Sequence, residues 1–85
     1  MSKYDKLFSR VLRGTSDANI SFDDLRQLVI WLGFDERTRG SHHLFRKTGI
    51  EEKINLQREG SKAKPYQVRQ VRNIILKHGL GEEDE

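Results

Sequence analysis

One stretch of this 85-residue chain gathers side chains that could do chemistry: Arg39-Gly40-Ser41-His42-His43-Leu44-Phe45-Arg46-Lys47. Histidine titrates nearest neutral pH, so it can give or take a proton under working conditions. Arginines on either side of it attract phosphate. Gly40 reads as a turn or bulge and lets another backbone approach closely, and Ser41 offers a hydroxyl. Together these groups suit phosphodiester cleavage without a metal. A histidine would act there as base toward a 2′-hydroxyl or as acid toward the leaving oxygen. If the stretch is a strand, alternation puts His42, Leu44 and Arg46 on one face and His43, Phe45 and Lys47 on the other. Phe45 belongs in the core, so His42 faces outward. The same pair also reads as ordinary surface, because adjacent histidines are common there.

A second candidate is Gly60-Ser61-Lys62-Ala63-Lys64-Pro65. Lys62 and Lys64 precede a helix start, where free N–H groups and the helix dipole favour an anion. Arg69 and Arg72 follow on one side of that helix, as a phosphate backbone would need. A solvated loop is the competing reading. The third histidine, His78, lies near the helix end, where a cation interacts well with the dipole.

These residues need elements to hold them. Tyr4, Leu7, Phe8, Val11 and Leu12 have amphipathic-helix spacing, with Ser2 as cap and Gly14 as terminator. Thr15 to Asn19 is a polar loop. Ser21 caps a second helix, with Asp23 and Asp24 in its first turn and Ile20 and Leu25 placed as a hydrophobic staple. Leu25, Leu28, Val29 and Leu32 form its buried stripe; Gly33 ends it and Phe34 folds back. Trp31 lies off the stripe and is read as core or as a contact with the first helix or a partner. Asp35–Arg39, His42–Lys47 and Lys53–Gln57 read as strands. Pro65 opens the last helix, which buries Val68, Val71 and Ile75 and ends at Gly79.

The expected fold is α+β, in the order α-α-β-β-β-α: a three-stranded antiparallel sheet with helices on one face and the other face open. Residues 1–80 form one domain: an extra N-terminal helix within 2–14, then a core over 21–80. Residues 81–85 form an acidic tail, expected to be disordered.

Charge is unevenly distributed. Residues 1–36 carry net −1, residues 37–77 carry net +8, and residues 78–85 carry four acids. A basic block of that size reads as a footprint for a polyanion, or as a solvated basic surface. The absence of cysteine excludes disulfides and thiolate metal sites. No apolar run reaches the roughly 20 residues that span a bilayer, and the N-terminus lacks the apolar segment of a signal peptide. The expectation is a cytoplasmic protein with no membrane contact.

Leu32-Gly33-Phe34, a short polar strand, and then Arg39-Gly40-Ser41-His42-His43-Leu44-Phe45 resemble the HicA family of toxins. The closing run from Val68 to Leu80 resembles that family's last helix, and the likeness covers about residues 21–80. The resemblance implies a fold like a double-stranded-RNA-binding domain. It implies a ribosome-independent mRNA endoribonuclease needing no metal or other cofactor, with His42, directly after Gly-Ser, as the catalytic residue. It also implies a HicB-type antitoxin partner that covers the site, with the toxin a monomer when free. Arg39, Gly40, Ser41, Arg46, Lys62, Lys64 and Arg69 are the expected RNA contacts. The N-terminal helix and the acidic tail are additions to the family core. Two other functions fit the same residues: a non-catalytic RNA-binding module, and an interaction domain whose basic face meets an acidic protein.

Overall fold

Helix α1, Lys3–Arg13, forms because its apolar side chains recur at helical spacing, and it buries Leu7 and Val11. The computed structural model describes residues 3–81. Met1, the proposed cap Ser2, and all of the acidic tail except Gly81 lie outside the described residues. A short 3₁₀ turn, Asp17–Asn19, leads to α2, Phe22–Trp31. Ser21 caps α2 as its sequence position requires: its hydroxyl accepts from the Asp24 N–H at 3.0 Å.

Three strands follow, β1 (Asp35–Arg39), β2 (His42–Lys47) and β3 (Ile50–Gln57), and then α3 (Pro65–His78). The sheet is an antiparallel meander in the order β1-β2-β3. Phe45, Ile54 and Leu56 point inward and are buried with Phe22, Leu25, Leu28 and Val29 of α2 and Val68, Val71 and Ile75 of α3. Both helices therefore pack on one sheet face. The expected α+β order is the one observed.

One boundary changes, and two open readings resolve. The third strand starts at Ile50, three residues before Lys53. A register shift between Phe45 and Lys47 breaks simple alternation there, and Ile50 packs against the core's edge. Trp31 does not enter the core. It is 38% exposed and stacks on Tyr4 at 6.0 Å, with Phe8 at the same distance, so it fastens α1 to α2. Of the two readings of Gly40, the turn is the one observed. It takes φ 60° in the two-residue connection from β1 to β2, and nothing lies within 4 Å of where a Cβ would stand.

Candidate functional site

His42 begins β2, directly after that tight turn. Its cross-strand partners are Arg39 on β1 and Gln57 on β3. The pleat turns it outward while His43, one residue on, turns inward. His42 is exposed, and among the described residues its ring has no hydrogen-bond or ion-pair partner. Both ring nitrogens are thus available to a ligand.

His43 has the opposite environment. It is 8% exposed, its Nδ1 lies 2.7 Å from Glu36 Oε2, and Phe22 meets its ring edge-on at 5.1 Å. Arg26 grips the same carboxylate with two bonds, 2.6 and 2.7 Å. The Arg26 guanidinium, aided by His43, holds Glu36 below the ordinary carboxylate range, against burial, which pushes it up. This partly buried cluster ties α2 to β1 and β2 beneath the His42 side of the sheet.

The end of the molecule that carries His42 is closed by backbone bonds. The Arg58 N–H donates to the Ser41 carbonyl at 2.9 Å, which fixes the turn to the end of β3. The loop beyond is sewn to the start of α2: Phe22 N–H donates to the Ser61 carbonyl, and Ala63 N–H to the Ile20 carbonyl, both at 2.9 Å. Ala63 is buried, so Lys62 and Lys64 flank an anchored residue. At the start of α3, Gln67 is buried although polar. Its Oε1 accepts from the Lys64 N–H at 3.3 Å and its Nε2 donates to the Gln57 carbonyl at 3.2 Å. The lysine loop is therefore held in place by backbone and by Gln67.

The cations divide into engaged and unengaged groups. Arg72 is not beside Arg69 for phosphate binding. It donates to both Asp17 oxygens, at 3.0 and 3.2 Å, and to the Val11 carbonyl, and is largely buried. Arg58 pairs with Asp23 at 2.6 Å and lies 4.5 Å from the Phe22 ring centre; this pairing lowers the Asp23 pKa. Lys64 pairs with Glu59. Lys77 and His78 both hold Glu52, whose pKa falls to about 2, chiefly through Lys77. The role read for His78 at the helix dipole thus gains a specific partner.

Arg39, Arg46, Lys62 and Arg69 are exposed with no carboxylate partner among the described residues. Arg37 and Lys53 share that state. Sequence reasoning passed over these two, although parity places them with Arg39 and Arg46 on the outer face. Arg37, Leu44, Arg46, Lys53 and Asp35 line a depression of about 420 Å³ on that face. Arg37, Thr38, Arg39 and Leu44 line a second of about 340 Å³ toward the His42 end. Ser41 is exposed in the turn, with its carbonyl committed to Arg58. No group of three His, Cys, Asp or Glu side chains among the described residues is arranged to hold a metal ion. No helix among them is long and apolar enough to cross a membrane. Comparison with protein-family models, curated proteins and solved structures finds no match.

Proposed function

We propose that this chain is a ribonuclease toxin resembling the HicA family, with His42 as its proton-transfer residue. The observation that carries this reading is the state of His42. It is an exposed, unpartnered imidazole on a rigid strand, paired across the sheet with Arg39 and beside an unneutralised cationic face. A proton-transfer group must be free to meet the substrate, and fixed cations must lie where phosphate charge builds up.

In the proposed reaction His42 removes the proton of an RNA 2′-hydroxyl. The 2′-oxygen attacks the adjacent phosphorus, and the bond to the 5′-oxygen of the next nucleotide breaks. That leaving oxygen takes a proton from water, His42 returns its proton to the solvent, and the products are a 2′,3′-cyclic phosphate and a 5′-hydroxyl end. Arg39 offsets the charge on the phosphoryl oxygens. Arg46, Lys62, Lys64 and Arg69 hold neighbouring phosphates, Lys64 on leaving Glu59. Gly40 and Ser41 shape the turn that presents His42. A HicB-type antitoxin would cover this end of the protein and neutralise the toxin in the cytoplasm.

The test is growth after induced expression of wild type and His42→Ala, with cellular RNA followed in the same cultures. Arrest and RNA decay with wild type alone are expected. A wild type that neither arrests growth nor degrades RNA while accumulating in folded form removes the catalytic reading and leaves an RNA-binding module.

A further inference from the structure

The outer face of the sheet holds four cations, Arg37, Arg39, Arg46 and Lys53, against two acids, Asp35 and Glu51. Among the described residues none of the four has a carboxylate partner, whereas Arg26, Arg58, Arg72 and Lys77 elsewhere each have one. Leu44 lies on the central strand of this face, 38% exposed, opposite Arg37 on β1 and Asn55 on β3. Leu44 thus gives this cationic face an apolar centre.

Three strands spaced about 4.8 Å apart make a face about 10 Å across, with side chains two apart on one strand separated by about 6.7 Å. Such a strip suits one extended nucleotide chain. An A-form duplex stacks its bases inside and presents sugars and phosphates, leaving Leu44 without an apolar partner. A single strand exposes base faces that can lie on an apolar surface while its phosphates meet the flanking cations. A protein partner is the weaker fit, because the core of a protein interface concentrates aromatic and apolar side chains, and on this face Leu44 is the one exposed large apolar side chain among the described residues.

We infer that the outer face of the sheet is a track for single-stranded RNA, running from Lys53 and Arg46 past Leu44 and Arg37 to Arg39 and His42. The two depressions lie along this line. The cations of the lysine loop and α3 belong to the helical layer instead, so they meet the chain beyond His42. The inference rests on the ribonuclease reading for the position of the cut, which falls at the end of the track. Its direct content is where the strand binds.

The test is binding of a short single-stranded RNA, and of the duplex of the same sequence, to the His42→Ala protein over a range of salt. The expected result is tighter binding of the single strand. Arg37→Glu with Lys53→Glu should weaken that binding by about tenfold or more and reduce the salt slope by about 1.4, as loss of two phosphate contacts requires. Leu44→Ser should weaken it without changing the slope. All of these residues are exposed, and unchanged melting temperatures would show that the variants fold. Equal or tighter duplex binding overturns the inference. So does binding that Lys62→Glu abolishes and the Arg37/Lys53 pair leaves intact. Failure to bind RNA, with an acidic protein segment captured on this face instead, also overturns it. RNA cleavage by wild type that the track variants do not affect would sink the track and leave the ribonuclease reading standing. Single-strand binding on the face without any cleavage would do the reverse.

Discussion

Adjacent histidines meet different surroundings here because a strand sends successive side chains to opposite faces. His43 is enclosed by Glu36 and Phe22, whereas His42 touches neither. His43→Ala should cost about 1–3 kcal/mol, since it leaves a largely buried carboxylate with one bond fewer. His42→Ala should change stability by less than about 0.5 kcal/mol, as exposed positions do. Chemical denaturation of the two variants checks both figures, and a large loss at His42 would mean the residue has a structural partner. Arg69 and Arg72 make a second such contrast on α3. Arg72→Met should destabilise the fold by about 2–4 kcal/mol, because Asp17 is largely buried and loses its only cation partner among the described residues. Arg69→Ala should leave stability unchanged and weaken RNA binding. Equal effects of the two substitutions on stability would contradict the pairing that separates them.

At the scale of elements, the Arg26–Glu36–His43 cluster joins α2 to the two strands that carry His42. Glu36 titrates below its ordinary value of 4.5 in the folded protein. A carboxylate whose folded pKa is depressed adds stability above its unfolded pKa, and that stability is lost as pH falls through the folded value. The stability gap between wild type and Glu36→Gln should therefore be widest at neutral pH and narrow as pH drops below about 4.5. Thermal melts across pH 2.5–7 measure it, on the order of 1–3 kcal/mol at neutral pH for a charged hydrogen-bonded group. A gap independent of pH would show that the carboxylate's charge is not what Glu36 contributes.

The same scale shows what the sequence made legible. Ser21, Pro65 and Gly79 act locally, through a cap, a preset φ and a left-handed residue, and local signals marked α2 and α3 correctly. Parity along β2 was enough to separate His42 from His43. The start of β3 was missed because the irregularity beside Lys47 is a property of the paired strands, invisible in either alone. Arg72 looked like a phosphate ligand because its partner, Asp17, lies 55 positions away in sequence. Gln67 drew no reading from sequence, because only the approach of β3 gives its amide a carbonyl to hold. Strand parity would have put Arg37 and Lys53 on the outer face, but only the meander brings them together beside Leu44.

For the molecule as a whole, charge and layering coincide. Helices cover the inner face of the sheet, and there Arg26, Arg72 and Lys77 are each held by a carboxylate, while among the described residues the four cations of the outer face have no carboxylate partner. Free cations on one side draw a polyanion there and leave a binding equilibrium sensitive to salt. His42 stands at the end of that face, where β1, β2 and β3 meet the turn and the lysine loop. Placing the proton-transfer group at the edge of a cationic surface separates binding from cleavage. Substitutions along the face should act mainly on affinity, and those at His42 on the rate.

The most direct measurement is cleavage of a purified single-stranded RNA by purified wild type and by His42→Ala, with the product ends determined. The account predicts cleavage by wild type to 2′,3′-cyclic phosphate and 5′-hydroxyl ends, with a rate lower by about 10²–10⁴ in the variant, the range of a lost general acid–base. Cleavage by both proteins at the same rate would contradict it.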